Sequence, residues 1–261
     1  MSYAVLQTSP APPRMEQLQS AFHGVPGLTA ADAAVYCKDA FGIIARGLEG
    51  GQAAILQTRL REAGVEAEIV ETARLPALPV GKTIRRLELT PEAMVVWDPL
   101  GRPFPVNWGH IMILGAGCLP QAQFQSKRHE WKVSRFVDSG FMFPIRIQET
   151  RFEYRSSESA AWQFRAEIVL TKCAARFCVE AENFNFGCLG PKMTNDPANN
   201  FNLLMREFAN RAPLALLNRG VTSLLATPPE FTGYPRANSL SEEVTWLLWQ
   251  IENGRAGAAS S

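Results

Sequence analysis

The chain has 261 residues, 46% of them hydrophobic, which is enough to bury a core and to form one or two domains. Its 26 Lys and Arg residues against 25 Asp and Glu residues give a net charge of +1. A balance so close to zero excludes a general field that would draw the whole chain onto nucleic acid or anionic lipid. We therefore expect any such binding to be local, and we do not expect nucleic acid as a partner.

The N-terminus and the cysteines indicate a cytoplasmic protein. The first apolar run, Tyr3-Ala-Val-Leu6, is short and has no basic lead-in, and no later stretch is long enough to span a membrane. We therefore expect neither a signal peptide nor integral membrane association. Five cysteines, an odd number, do not form the pattern of a secreted disulfide framework and favour a reducing compartment.

The N-terminal residues predict strands and helices in the order β-α-α-β-α-β, an α+β module with its helices on one face of a small antiparallel sheet. Thr29 is suited to cap the second helix, with Asp32 as an acid in its first turn. The predicted apolar stripe of the third helix comprises Ala54, Ile55, Leu56 and Leu60. The predicted ranges are 3–7, 14–22, a helix opened by Thr29, 41–47, 51–63 and 65–70.

Four stretches of this module carry a family resemblance: Leu28-Thr-Ala-Ala-Asp-Ala-Ala, the strand around Ile43-Ile44, Leu60-Arg-Glu-Ala-Gly64, and Val65-Glu-Ala-Glu-Ile-Val70. They resemble the C-terminal domain of the bacterial ribosomal stalk protein and the related protease adaptor ClpS. The resemblance covers residues 3–71 and implies a surface on which other proteins dock. The lysine-rich helical surface of the stalk domain is missing, since Lys38 is the only lysine before residue 82, so the resemblance does not extend to translation-factor binding.

A proline-rich stretch separates this module from the rest of the chain. Leu75-Pro-Ala-Leu-Pro-Val-Gly81 cannot continue a helix and predicts an extended linker. We therefore expect a module at 1–74, a linker at 75–81, a second domain at 82–253 and a disordered tail at 254–261.

The sequence of the second domain predicts a mainly antiparallel β-rich fold with C-terminal helices. The predicted strands are 83–89, 93–97, 104–108, 110–114, 143–147, 151–154, 162–171 and 175–182, with a turn at 98–103. A helix capped by Asn199 or Asn200 ends near Pro213 and has its apolar face on Phe201, Leu204, Met205 and Phe208. A last helix covers 239–251, with Ser239 or Ser241 as its cap and Leu240, Val244, Leu247, Leu248 and Ile251 on one face.

Two segments of this domain, Leu89-Thr-Pro-Glu-Ala-Met-Val-Val-Trp97 and Val106-Asn-Trp-Gly-His-Ile111, are similar to strands of bacterial pleckstrin-homology-like (PH-like) domains. The resemblance implies a β-barrel closed by one amphipathic helix.

The sequence contains no motif for catalysis, a cofactor or a metal. No C-x-x-C or H-x-x-x-H pair occurs among Cys37, Cys118, Cys173, Cys178, Cys188, His23, His110 and His129, so buried thiols are expected. There is no G-x-S-x-G, and few histidines could serve as a base. Gly115-Ala-Gly117 and Gly81-Lys-Thr83 lack the spacing of phosphate-binding loops, and turns are the expected explanation.

The candidate binding residues lie in one basic-aromatic segment, residues 127–135. They are Lys127, Arg128, His129, Trp131, Lys132 and Arg135. Such a loop could hold a phosphate or an acidic partner segment, and it could equally be a solvated β-edge whose lysines discourage strand pairing. Trp131 favours binding, because a large indole beside cations is typical of interfaces.

Two further aromatic groups have a structural interpretation. Asn183 and Asn185 are expected to satisfy backbone groups, while Phe184 and Phe186 pack beneath a helix; a ligand-gripping loop is the alternative. Trp246 and Trp249 are expected in the core, with an oligomer contact as the alternative.

The function predicted from these observations is that of a non-enzymatic protein-interaction or adaptor protein without a cofactor. One alternative is an enzyme or small-ligand binder with a pocket between the two domains. The other is binding of anionic lipid or nucleic acid through residues 127–135. The partner, the pathway and a homo-oligomeric state are left open.

Overall fold

The computed structural model describes the backbone of residues 1–37, 40–98, 100–137 and 145–255, and the side chains of these residues except those of 30, 121–137 and 145–161. The fold class is α+β, as predicted. By its internal contacts the chain divides into two compact units, Met1–Leu119 with Gln163–Ser261 (unit 1) and Pro120–Trp162 (unit 2). The boundaries predicted around the linker stay predictions. Of the predicted tail, residues 256–261 lie outside the described residues.

Three short strands and three helices form the N-terminal part of unit 1. They are β1 (Tyr3–Gln7), α1 (Met15–Phe22), α2 (Ala30–Cys37), β2 (Ile43–Leu48), α3 (Gly50–Glu62) and β3 (Ala67–Glu71). The strands form the N-terminal sheet in the order β2-β1-β3, with both pairs antiparallel. Because β1 lies in the centre, β3 is an edge strand of this sheet.

The helix starts in this region are set by side chains that bond to backbone amides. The Thr29 hydroxyl accepts from the Asp32 amide at 3.1 Å, and the Asp32 carboxylate accepts from the Thr29 amide at 2.8 Å. This reciprocal pair is a capping box and confirms the cap predicted at Thr29. The Thr29 hydroxyl also donates to the Asp32 carboxylate at 2.7 Å, and this bond, together with the one from the Thr29 amide, holds the pKa of Asp32 below its usual value. A second box starts α3, where the Gln52 side chain accepts from the Glu49 amide.

The predicted apolar stripe of α3 is partly wrong. Leu56 and Leu60 are buried, but the third buried position is Ala53, while Ala54 and Ile55 are exposed. Positions 53, 56 and 60 are three and four residues apart and therefore share one face, whereas 54 and 55 lie outside it. Because positions 53 and 54 are both alanines, the sequence pattern did not show which of them is buried.

The rest of the described chain contains eight strands and three helices. The strands are β4 (Gly81–Ile84), β5 (Leu87–Leu89), β6 (Ala93–Trp97), β7 (Pro103–Asn107), β8 (Ile111–Val137), β9 (Ile145–Leu170), β10 (Arg176–Glu180) and β11 (Leu216–Leu217). The helices are α4 (Pro197–Arg211), α5 (Arg219–Leu225) and α6 (Ser239–Glu252).

Two sheets are built from these strands. A five-stranded sheet has the order β11-β8-β9-β10-β4, in which β4 pairs with β10 in parallel and β10 pairs with β9 antiparallel. A three-stranded antiparallel sheet has the order β5-β6-β7. In the described part of the chain neither sheet closes into a barrel.

The separate strands predicted at 151–154 and 162–171 are one continuous strand, β9. The physical reason is in the sequence: no glycine or proline lies between Ile145 and Leu170 to end a strand. The segment predicted at 83–89 is divided instead, into β4 and β5. Residues 138–144, which include the start of the strand predicted at 143–147, lie outside the described residues.

The two glycine motifs predicted to be turns are strands. Gly115 and Gly117 lie in β8, and Gly81 starts β4. The β8 glycines permit close packing, since a Cβ on Gly117 would collide with the ring of Tyr234 and one on Gly115 would lie 2.9 Å from a methyl group of Val244. These glycines therefore make room for neighbouring side chains and do not reverse the chain.

The C-terminal helices confirm the predicted apolar faces and correct the predicted caps. Phe201, Leu204, Met205 and Phe208 of α4 are buried, as are Leu240, Val244, Leu247 and Leu248 of α6, while Ile251 is half-buried and packs against the same core. Asp196, which accepts from the Ala198 amide at 3.0 Å, caps α4 in place of Asn199 or Asn200. Asn238, not a serine, stands at the N-cap of α6. Asn200 is instead buried and bonded to Thr194.

Each face of the N-terminal sheet packs against a different part of unit 1. Helices α1 and α3 cover one face, around a core that includes Val5 and Ile44. The other face, with Leu6 and Val70, packs against α6. The indole of Trp246 donates to the Gln7 carbonyl at 2.8 Å. The core position predicted for Trp246 and Trp249 is confirmed, since both are buried here.

Candidate binding groove

The structure leaves the predicted binding segment untested. Residues 127–135 belong to the long strand β8, and their side chains lie outside the described residues. The predicted roles of Lys127, Arg128, His129, Trp131, Lys132 and Arg135 therefore stay predictions. The sites considered below are formed by described side chains of unit 1.

A cleft of about 1110 Å³ lies beside β4, and we call it the basic groove. Its floor is apolar and is formed by Ile84, Val96, Leu170, Ala175 and Phe177, all of which are buried. Small-ligand pockets usually measure roughly 300–1,000 Å³. The basic groove lies above that range and has room for a segment of a macromolecule.

The rim of the groove is strongly cationic. It carries Lys82, Arg85, Arg86 and Arg102, against one carboxylate, Asp98. Within the described residues no carboxylate pairs with Lys82, Arg85 or Arg86, and all three are exposed. An exposed cation cluster without counter-charges attracts an anionic partner.

Asp98 builds the turn that positions the far rim. Its carboxylate accepts from the backbone amides of Leu100 and Arg102 at 2.9 and 2.8 Å and from the Arg102 guanidinium at 2.6 Å. These bonds hold the pKa of Asp98 below its usual value. The turn predicted at 98–103 is confirmed by the bonds between Asp98 and Arg102. Gly101 adopts φ +77°, which favours glycine. The acid of the groove is thus already occupied by its own turn.

Two aromatic side chains form the walls of the groove. The Arg86 guanidinium lies 4.7 Å from the ring centroid of Trp97, a cation-π contact that holds both side chains in place. Phe104, at the start of β7, is 52% exposed and also lines the groove. The groove therefore combines a fixed cation, an accessible aromatic ring and an apolar floor.

A second cleft, of about 850 Å³, is lined from the N-terminal part by Thr8 and Phe41 and from the C-terminal part by Arg219, Glu243 and Trp246. We call it the inner pocket. It occupies the position that the sequence-based alternative assigned to a ligand pocket between residues 1–74 and 82–253. The polar groups at its base decide what it can bind.

Both oxygens of the buried acid of the inner pocket accept hydrogen bonds from neighbouring residues. Glu243 is 1% exposed and accepts from the Arg219 amide at 2.9 Å, the Arg219 Nε at 3.1 Å and the Tyr234 hydroxyl at 2.6 Å. The Asn218 side-chain Nδ2 donates in turn to the Tyr234 hydroxyl at 2.8 Å. Burial, together with Glu243, raises the pKa of Tyr234, so this hydroxyl remains a donor. We interpret the network as a structural one that fixes α5 against α6.

The thiols are suited to packing and not to nucleophilic chemistry. All five cysteines are free. Burial raises the pKa of Cys118 and of Cys188 to about 11, which keeps both thiols protonated at neutral pH. Among the described residues, no group of three or more His, Cys, Asp and Glu side chains is placed to hold a metal ion.

Most residues of the segment 183–186 have the structural role that was expected of them. Phe184 and Phe186 are buried in the core beneath α4, with ring centroids 5.0 Å apart. The Asn185 side chain accepts from the Gly187 amide at 2.8 Å, whereas Asn183 is exposed.

The comparisons with known proteins add no relative. No family model, no curated protein and no solved structure matches this chain. The resemblances to the ribosomal stalk domain, to ClpS and to PH-like domains therefore remain predictions from the sequence. Among the helices in the described ranges, none combines the length and the hydropathy needed to cross a bilayer.

The basic groove was not predicted from the sequence. Lys82, Arg85 and Arg86 come from β4 and the link to β5, and only the tertiary fold brings them together with Arg102 of the turn after β6. One signal was available: Lys82, Arg85 and Arg86 stand within five residues of one another, just after a stretch without basic residues from Leu75 to Gly81.

Proposed function

We propose that this chain is a non-enzymatic protein-interaction protein, an adaptor, and that the basic groove holds an acidic segment of its partner. The observation that carries the proposal is the set of exposed cations, Lys82, Arg85 and Arg86, above an apolar floor. Carboxylates of the partner form charge-assisted bonds with these cations, and its apolar side chains enter the groove.

The resemblances seen in the sequence support an adaptor. Stalk-like and ClpS-like modules present docking surfaces, and in this chain the faces of α1 and α3 that point away from the sheet are available to a second partner. The PH-like resemblance expected for residues 82–253 also supports a binding role for the domain that contains the groove. The free cysteines support a reducing compartment, the cytoplasm.

An enzyme or small-ligand binder is the less supported alternative. The inner pocket is the cleft it would use, but the oxygens of Glu243 already accept from Arg219 and Tyr234. A catalytic carboxyl needs at least one oxygen that can reach a substrate. The network therefore supports a role in folding.

The first experiment measures the binding of a fluorescein-labelled, Glu-rich peptide of about eight residues with a central Val to the full chain, by anisotropy. We expect saturable binding that weakens as salt is raised, because exposed charges are screened. The double variant Arg85→Gln with Arg86→Gln should bind about tenfold more weakly, since it loses two charge-assisted contacts of roughly 0.7 kcal/mol each.

The matched control is Arg61→Gln, which removes an exposed arginine from the last turn of α3, outside the groove. We expect it to bind as tightly as the parent chain. A triple variant at Arg128, Lys132 and Arg135 tests the alternative at residues 127–135. If the triple variant loses binding while the groove variant keeps it, the groove is not the site. Thermal melts of all variants check that each is folded.

A further inference from the structure

We propose that the acidic segment binds as an added β-strand along the free edge of β4. This inference rests on the proposed function and specifies its geometry. In the described residues β4 has one neighbour, β10, with Gly81 opposite Arg176 and Ile84 opposite Val179. Its other edge carries backbone donors and acceptors that an extended segment can pair with.

The lining of the groove indicates that this free edge borders it. On one side the groove is lined by Lys82, Thr83 and Ile84 of β4, and on another by Val96, Trp97 and Phe104 of β6 and β7. In the described residues β6 and β7 belong to a separate sheet that does not pair with β4. The groove therefore opens between β4 and a sheet to which β4 is not hydrogen-bonded.

The backbone beyond β4 is already paired on the β10 side. Asn185, which follows β10 in the chain, donates its amide to the Arg85 carbonyl at 2.7 Å. Residues 86 and 185 also form a parallel bridge. The β10 side is therefore occupied from Gly81 to Arg86, and the groove side is the one that takes another strand.

The side chains along this edge define the composition of the added strand. Lys82 and Ile84 share one face of β4, and Arg85 and Arg86 follow directly. An acidic residue is favoured beside each cation, and an apolar residue beside Ile84, where it reaches the floor formed by Val96 and Phe177. The partner is thus an extended acidic peptide with an apolar residue near its centre.

The charge of the edge also selects between partners. A second copy of β4 would place like charges opposite each other, which is unfavourable. An acidic strand meets complementary charges at the same positions. Main-chain pairing further distinguishes a peptide from single-stranded nucleic acid, which would use phosphates and stacked bases and leave the strand edge unpaired.

The experiment compares the Glu-rich peptide with two versions that are N-methylated at alternate residues, one set in each version. Alternate amides of a strand point to opposite sides, so only one set can donate to β4. We expect one version to bind at least about tenfold more weakly than the parent peptide, because it loses two or more backbone hydrogen bonds. The other version should bind like the parent.

Amide hydrogen exchange of the full chain gives an independent readout. Peptide binding should slow exchange at the amides of Lys82–Ile84. The matched control is β3, another edge strand, whose glutamates repel the acidic peptide, so its exchange should not change.

The outcomes separate this inference from the proposed function. If both methylated peptides bind like the parent and exchange at β4 is unchanged, strand addition is wrong and the adaptor proposal stands. If the parent peptide does not bind, the strand addition and the adaptor proposal are both wrong. This holds even if an oligo-dT strand binds. If exchange at β4 slows with protein concentration alone, the occupant is a second copy and the acidic partner is wrong.

Discussion

Tyr234 lies at the centre of a buried polar network, and its hydroxyl both donates and accepts. It donates to Glu243 and accepts from Asn218. We expect Tyr234→Phe to lower the free energy of unfolding by roughly 1.5–3 kcal/mol, because the bond to a charged carboxylate is lost in a buried site. Chemical denaturation followed by tryptophan fluorescence measures this difference.

Tyr3→Phe is the control for that variant. The Tyr3 hydroxyl is exposed, and its contact is a weak one to the Met1 sulfur at 4.0 Å. Its removal should change stability by less than about 0.5 kcal/mol. Equal effects of the two substitutions would show that the network does not stabilise the fold.

Gly220 and Gly51 form a matched pair of helical glycines with opposite expectations. A Cβ on Gly220, in α5, would collide with the backbone carbonyl of Ala116, whereas nothing lies within 4 Å of one on Gly51, in α3. Gly220→Ala should therefore be destabilising by several kcal/mol or prevent folding. Gly51→Ala should stabilise the chain by about 0.5–1 kcal/mol, because alanine is the better helix former. A lower melting temperature for Gly51→Ala would contradict the expectation that a Cβ at residue 51 meets no other atoms.

At the scale of single residues, the sequence predicts burial best where the apolar residues are large. Phe201 and Phe208 stand out from their polar neighbours, so the buried face of α4 follows from the spacing. In α3 the difference between Ala53 and Ala54 is too small for a pattern to detect, and Ile55, which is large, is nevertheless exposed. The prediction of helix caps from sequence is wrong for a related reason. Good capping residues stand at three nearby positions, Asp196, Asn199 and Asn200, and only tertiary contacts decide between them.

Helix α6 covers the face of the N-terminal sheet that the other helices leave open. Leu6 and Val70 pack against it, and Trp249 donates to Glu68 at 2.8 Å. A chain ending at residue 238 should therefore expose this face and bind the dye ANS strongly, as partly folded proteins with exposed apolar surface do. A chain ending at residue 255 keeps α6 and is the control. Equal ANS fluorescence from both would show that α6 is not needed to cover the sheet.

Among the elements, long periodic segments were predictable and long-range pairings were not. The positions of α3 and α6 follow from the spacing of their large apolar residues, Leu56 and Leu60 in α3 and Leu240, Val244 and Leu248 in α6. The alternation in Val65-Glu-Ala-Glu-Ile-Val70 indicates a strand with one apolar face, yet Val70 is buried on the opposite face. This opposite face of the sheet is covered by α6, which lies far along the chain. Local periodicity in the strand contains no information about that contact.

At the scale of the whole molecule, the N-terminal elements and the C-terminal helices of unit 1 share one core. We expect unit 1 to unfold in one cooperative transition, because removing either part exposes the apolar surface of the other. Far-ultraviolet circular dichroism and tryptophan fluorescence should give the same midpoint in a denaturant titration. Two separated midpoints, with residues 1–74 unfolding independently, would contradict this expectation and favour two autonomous domains.

The packing of α6 against the N-terminal sheet also has a consequence for the order of events during synthesis. The strands of that sheet leave the ribosome early, and α6 follows about 170 residues after β3. At a synthesis rate of about 5–20 residues per second, the apolar face of the sheet is exposed for roughly ten to thirty seconds before α6 is made. We therefore expect the nascent chain to bind chaperones that recognise exposed apolar surface until α6 packs against the sheet.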